Sequence, residues 1–89
     1  MQSSLLASLI AFHRKRAKLT QTELARHAGV SRFVVQDIEA GRDRTTWRNL
    51  LAVLDVLNLR LEPAGPLVEE WRKLQVDEVS PKPREEPPA

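Results

Sequence analysis

Residues 20–41 read TQTELARHAGVSRFVVQDIEAG, and this stretch decides the fold because it predicts two short helices joined by a tight turn. Its first four residues have the S/T-x-x-E pattern of a capping box, which marks the start of a helix. Gly29 ends that helix, and Ser31 caps a second helix that we expect over residues 32–40. The prediction is therefore helix, turn and helix.

The apolar residues of these two helices are spaced so that they meet. Leu24 and Ala25 of the first helix should face Val35 and Ile38 of the second, and the small Ala25 allows a close crossing. Two short helices joined in this way form the unit that places a second helix in the major groove of DNA. The spacing therefore predicts a helix-turn-helix unit.

Outward from this unit, the sequence predicts an all-α domain of four to five short helices. An apolar series that begins at Ser3 or Ser4 and ends in a basic cluster predicts a first helix. Thr45 or Thr46 opens another helix, whose wide apolar face should form the floor of the core. We expect Trp47, at the start of that helix, to pack in the core under the preceding loop.

A short strand follows these helices, because four residues alternate between apolar and charged: Leu59, Arg60, Leu61 and Glu62. One strand of this length is not stable alone, and the chain offers no second candidate. Pairing with the same strand of a second subunit across a two-fold axis is the economical solution. We therefore predict a homodimer that closes through residues 59–62, with both leucines facing the core.

The remaining sequence predicts a division between residues 1–63, a helix-turn-helix DNA-binding and dimerisation domain, and residues 64–89, a flexible, acidic, proline-rich tail. Leu67, Trp71 and Leu74 lie along one side of a segment that could form one or two helical turns. Trp71 either folds back on the domain or anchors a partner. The last ten residues, with four prolines among charges, should be disordered.

Charge is unevenly distributed along the chain. Residues 1–62 carry ten Lys and Arg against six Asp and Glu, a net charge of +4, whereas residues 63–89 carry four against six, a net charge of −2. A basic compact part points to an anionic partner. An ordinary solvated surface explains the charge equally well, so the motif has to decide between them.

The composition argues against metal chemistry, catalysis and a membrane span. There is no cysteine, and the two histidines, His13 and His27, lie far apart without a partner ligand. We therefore predict no metal, no cofactor and no enzyme activity, since no nucleophile and base converge on a pocket. No apolar run approaches the roughly 18 residues that span a bilayer, so we expect a soluble intracellular protein.

The chain resembles the Xre/Cro family of phage-repressor-like regulators. The resemblance is carried by residues 19–25, 28–32 and 38–41, which read LTQTELA, AGVSR and IEAG. It implies a phage-repressor-like helix-turn-helix domain that binds double-stranded DNA. Together with the predicted two-fold dimer, it implies a palindromic operator.

Residues 54–63, LDVLNLRLEP, resemble in addition the end of HipB-type antitoxin domains, which finish in a strand paired between subunits. Proteins of this type bind a HipA-like kinase toxin and repress the operon that encodes both. The resemblance therefore implies an autorepressing antitoxin, located in the cytoplasm and associated with the nucleoid. The alternative is a stand-alone Xre-family regulator without a toxin partner.

The resemblance also places five residues on the groove-facing side of the second, recognition helix: Ser31, Arg32, Phe33, Gln36 and Asp37. Physical chemistry agrees for three of them, because an arginine suits guanine, a glutamine suits adenine or a phosphate, and a phenylalanine suits a thymine methyl. Asp37 would face phosphates unless it accepts a hydrogen bond from cytosine or orients Arg32.

Contacts to the DNA backbone are implied at four further residues: Gln21, Arg42, Arg44 and Arg48. Such contacts position the protein without reading the sequence. Any one of the three arginines could instead be only solvated. Arg14 and Glu39 match family positions that pair inside the domain, so the resemblance implies a structural salt bridge between them.

Overall fold

The structure is a computed structural model that describes residues 3–78, and this part of the chain consists of five helices. They are α1 (Ser3–Arg16), α2 (Gln21–Ala28), α3 (Arg32–Glu39), α4 (Trp47–Val56) and α5 (Val68–Glu78). Within one chain, no segment of the described residues pairs as a strand. The predicted all-α, helix-turn-helix fold is confirmed.

The capping box predicted at the start of α2 is present with both of its hydrogen bonds. The backbone N–H of Glu23 donates to the Thr20 hydroxyl over 3.0 Å, and the backbone N–H of Thr20 donates to the Glu23 carboxylate over 2.8 Å. The bond from the Thr20 backbone lowers the pKa of Glu23. At the other end, Gly29 takes the left-handed conformation, φ +72°, that a terminating glycine adopts without strain.

The starts of α3 and α4 are also capped by hydroxyl side chains. The Ser31 hydroxyl accepts from the Val34 N–H, and the Thr46 hydroxyl accepts from the Asn49 N–H. The sequence left Thr45 and Thr46 as alternatives for the residue that caps α4, and Thr46 takes that position. The helices of the helix-turn-helix unit therefore begin where the sequence predicts.

A single apolar cluster joins the first four helices. The four residues predicted to meet across the turn, Leu24, Ala25, Val35 and Ile38, are all buried in it. The cluster is completed from α1 and α4 by Ile10, Val53 and Leu54. This core fixes α3 against α1 and α2, so the orientation of the recognition helix depends on it.

The prediction that Trp47 packs in the core is wrong, because its side chain is 67% exposed. Trp47 is the first residue of α4, beyond the edge of the buried cluster. The preceding loop does not cover it, since Arg42 and Thr45 in that loop line a small cavity with Leu6 of α1 instead. The sequence gives the helix start correctly and the path of the loop incorrectly.

Residues 59–62 leave the domain in an irregular, non-helical course. The Leu59 N–H donates to the Leu54 carbonyl, and the Leu59 side chain packs against the core as predicted. Leu61 is 38% exposed, so the expectation that it faces the core is wrong for one chain. Because the structure holds a single chain, strand pairing between subunits stays a prediction.

Helix α5 is longer than the one or two turns predicted for this segment, with 11 residues over Val68–Glu78. The Arg72 guanidinium donates to the Pro63 carbonyl over 3.3 Å and ties the helix to the linker before it. Trp71 lines a shallow apolar pocket with residues 63–68 and does not belong to the core. The disorder expected of the last ten residues concerns positions outside the described part.

An ion pair between Arg14 and Glu39 connects the end of α1 to the end of α3. The Arg14 guanidinium donates to both carboxylate oxygens, over 2.7 and 3.0 Å, and to the Leu19 carbonyl over 2.8 Å. The two side chains are only 13% and 8% exposed. The hydrogen bond to Glu39 raises the pKa of Arg14 against the opposing effect of burial. The pair implied by the resemblance is therefore present.

We predict that Arg14→Met lowers the free energy of unfolding by about 3–5 kcal/mol, because it leaves a mostly buried carboxylate without its ion partner. Urea unfolding followed by circular dichroism at pH 7 measures the change. As a matched control, Arg42→Met removes an exposed partner of Asp37 and should cost less than about 1 kcal/mol. Equal losses in the two variants would contradict a structural role for the Arg14 pair.

Candidate nucleic-acid interface

The recognition helix α3 has one buried side and one outward side. Val35 and Ile38 are buried in the core, and the residues predicted to read DNA lie on the opposite side of the helix. Arg32 and Phe33 are exposed, whereas Gln36 and Asp37 are half-buried. This division follows from the helical period, since positions 32, 33, 36 and 37 share one face.

The outward side begins at the N-terminus of α3, which is the end that contacts base edges in helix-turn-helix proteins. Ser31 already accepts the Val34 N–H as the cap, and its hydroxyl proton stays available to donate to a phosphate or a base. The Arg32 guanidinium lies over the Phe33 ring, 5.3 Å from its centroid. Two side chains of different chemistry are thus in contact at the N-terminus of α3.

Asp37 pairs with two arginines of the loop after α3. One carboxylate oxygen accepts from Arg42 over 3.2 Å and from Arg44 over 3.1 Å. The sequence left open whether Asp37 faces phosphates, accepts a hydrogen bond from cytosine or orients Arg32. In the structure its partners are Arg42 and Arg44, because the loop returns past the C-terminal half of the helix. The two guanidinium groups therefore compensate the negative charge of Asp37, and its carboxylate holds them beside α3.

Gln21, at the start of α2, is fixed by the ion pair behind it. Its side-chain amide donates to the Glu39 carboxylate over 3.0 Å, and that carboxylate also binds Arg14. The second amide proton stays available to donate to a phosphate oxygen. Gln21 is thus held in place from inside the domain, as a residue that steadies the recognition helix should be.

Arg48 is not brought together with the other candidates. It is exposed in the first turn of α4 and lines a shallow groove with Leu51, Leu59 and Leu61. This groove includes residues predicted to pair between subunits, so Arg48 lies beside the predicted dimer contact.

Sequence reasoning missed one exposed residue of this region, Trp47. It stands between Arg44 and Arg48 in the sequence and is exposed like them. The signal that could have found it is its position directly after the Thr46 cap. A first helical residue often lies outside the core that the following turns build.

Two searches of the described residues gave no result. Among residues 3–78, no three His, Asp or Glu side chains lie close enough together to hold a metal ion. None of the helices over the same residues combines the length and apolarity that a transmembrane segment requires.

Comparison with known proteins identifies the family. A family model described as "Helix-turn-helix domain" matches residues 5–65, which is more than half of the chain. The chain belongs to this helix-turn-helix family. The match spans α1 to α4 and the residues after them, so it includes the whole helix-turn-helix unit formed by α2 and α3.

Two solved structures are similar to this helix-turn-helix domain. One is described as "MDT Protein" and the other as "Structure of HipA-HipB-O2-O3 complex". Each is 25% identical with a TM-score of 0.67, and each comparison covers 73% of this chain and 92% of the other. No curated protein sequence matches significantly. The resemblance to Xre-type, HipB-like regulators is confirmed, and the helix-turn-helix family supports a DNA-binding regulator.

Proposed function

We propose that the protein is a sequence-specific transcriptional repressor and the antitoxin of a HipA-like toxin-antitoxin operon. In this function it represses its own operon, binds the kinase toxin, acts beside the nucleoid and catalyses no reaction. The observation that carries the proposal is the outward face of α3, built on a domain similar to a chain of a HipA-HipB structure. The competing function is that of a stand-alone regulator.

The residues of this face divide into two kinds of contact. Arg32 can pair with guanine and Gln36 with adenine or a phosphate, because both are exposed or half-exposed near the start of the recognition helix. Arg42 and Arg44 are held at its side by Asp37, where they suit phosphates. Base contacts select the sequence, and phosphate contacts set the register and the salt dependence.

We predict that Arg32→Ala and Arg42→Ala weaken DNA binding in different ways. Removing the Arg32 side chain should cost about 1–3 kcal/mol of binding free energy on the preferred duplex and relax the selection at one base pair. The loss at Arg42 should weaken all duplexes alike and flatten the salt slope by about one unit. Fluorescence anisotropy on the best duplex from a random library, and on a scrambled duplex, at several salt concentrations measures both.

A control of similar size and opposite change in charge is available at the same site. Asp37→Asn removes the anion that holds Arg42 and Arg44, so it should tighten binding to the scrambled duplex and steepen the salt slope. If Arg32→Ala loses as much on the scrambled duplex as on the preferred one, Arg32 belongs with the phosphate contacts and the assignment of base reading to it is wrong.

The homodimer is proposed to form at the groove beside residues 59–62. This groove is open in one chain, and it is lined by Leu51 of α4 together with Leu59 and Leu61. Leu51 is also partly exposed, so strand pairing across a two-fold axis would cover apolar surface from both elements. Two recognition helices related in this way would meet half-sites about 34–36 Å apart, or a multiple of that distance.

We predict that Leu61→Lys converts the dimer to monomers at micromolar concentration, because it places a charge in the paired strand and its groove. Light scattering and sedimentation measure the mass. Leu5→Lys introduces the same charge at an exposed position of α1 and should leave the dimer intact. A Leu61→Lys protein that remains dimeric would contradict pairing through residues 59–62, as would a footprint on the operator without inverted symmetry.

Two exposed apolar surfaces away from α3 support a protein partner. Along α5, Leu67, Trp71 and Leu74 are all exposed at helical spacing. Along α1, Leu9 and Phe12 are partly exposed on one side, together with Leu5 one turn before them. DNA binding requires neither surface, and the acidic first turn of α5 would repel phosphates.

We predict that tagged full-length protein captures a HipA-like kinase from its native host, identified by mass spectrometry. Deleting residues 64–89 should weaken that capture while dimer formation and operator affinity stay nearly intact. Trp71→Ala should weaken it too, and Trp47→Ala, the other exposed tryptophan, serves as the matched control. If an intact dimer captures no kinase, the stand-alone regulator becomes the better assignment.

A further inference from the structure

The pair formed by Arg32 and Phe33 is not explained by folding. Phe33 is 65% exposed and belongs neither to the core nor to the apolar residues packed against it. Its contact is the guanidinium of Arg32, which lies over the ring at 5.3 Å from the centroid. In water, an exposed ring contributes little to folding stability through this contact. The pair is therefore better explained by a contact with a ligand at the start of the recognition helix.

The contact between the two side chains keeps the ring near the base that Arg32 would read. When an arginine donates both hydrogen bonds to O6 and N7 of a guanine, its planar guanidinium lies close to the plane of that base. The Phe33 ring is held 5.3 Å from the central carbon of that guanidinium, so it stays close to the base edge that Arg32 contacts. Neighbouring base pairs are about 3.4 Å apart, so the ring can reach the adjacent pair.

The chemistry of the major groove then selects the adjacent base. A phenyl ring has no hydrogen-bonding group, and the apolar feature that bases present in this groove is the C5-methyl of thymine. A pyrimidine on the 5′ side of a guanine carries its C5 substituent beside the N7 edge that the arginine contacts. A thymine at that position would place its methyl against the side chains of Arg32 and Phe33.

We propose that Arg32 and Phe33 form one reading unit for a 5′-TG step in each half-site, with Arg32 on the guanine and Phe33 on the thymine methyl. The inference rests on the proposed DNA-reading function and names the step that it reads. Because 5-methylcytosine presents the same methyl, the unit should also prefer 5-methylcytosine to cytosine before that guanine. Methylation of a cytosine there would then strengthen binding.

The test uses the full-length protein and a random duplex library. The selected half-site should contain a guanine preceded by thymine. In the best duplex, that thymine is replaced by deoxyuridine, which removes only the methyl, and a second pair of duplexes compares 5-methylcytosine with cytosine. Burial of one methyl is worth about a fourfold change in Kd, so the wild type should lose about fourfold with deoxyuridine and gain about fourfold with 5-methylcytosine.

Two variants separate the members of the unit. Phe33→Ala should bind the thymine and deoxyuridine duplexes equally and still discriminate guanine from adenine at the next position. Arg32→Ala should lose both preferences, because the ring is positioned by the guanidinium. Phe33 is exposed, so thermal unfolding of Phe33→Ala should match the wild type and exclude misfolding as the cause.

The outcomes distinguish this inference from the function on which it rests. A selected motif without a 5′-TG step, or equal affinity of the wild type for thymine and deoxyuridine, would overturn the reading unit and leave sequence-specific binding in place. A methyl preference that survives Phe33→Ala would also overturn it. A library that yields no motif would overturn the proposed function itself.

Discussion

The carboxylate of Glu39 is the point on which the arrangement of the first three helices depends. It accepts two hydrogen bonds from Arg14, at the end of α1, and one from Gln21, at the start of α2. Since Glu39 is the last residue of α3, three helix ends are joined at one group. A buried ion pair is weak evidence for net stability. Its role here is geometric, because apolar packing is non-directional and would tolerate small rotations of α3 that these directed bonds oppose.

This constraint is transmitted to the DNA-binding face through α3 itself. Glu39 lies two residues from Asp37, whose carboxylate holds Arg42 and Arg44 at the side of the helix. The outward residues at the other end, Arg32 and Phe33, need no contact with the core. The helix is thus held at its C-terminal end, and the exposed side chains at its N-terminal end stay free for the proposed contacts to bases. A rigid scaffold that presents exposed reading residues is what recognition by shape and hydrogen bonding requires.

Local signals predicted the helix-turn-helix unit because the interactions behind them are local. A capping box or a terminating glycine such as Gly29 involves residues a few positions apart, and the apolar period reports which side is buried. The partners of Asp37 could not be predicted in this way, because they depend on the path of a loop. The prediction that Trp47 packs in the core was wrong for the same reason. The prediction that Leu61 faces the core is wrong for one chain for another reason. The partner surface that would cover Leu61 belongs to a second chain, whose position a sequence pattern does not give.

The exposed apolar side chains fall into two groups that differ in their charged neighbours. Phe33 stands beside Arg32 on a face that also carries Arg42 and Arg44, so a polyanion can approach it. Leu67, Trp71 and Leu74 belong to α5, whose first turn is acidic and whose last turn has no basic residue. Phosphates would be repelled by this acidic turn. A protein partner with an apolar surface surrounded by basic residues would not be repelled. The proposed DNA face and the proposed protein face of the chain therefore differ in the charge around their apolar side chains, so each would favour a different partner.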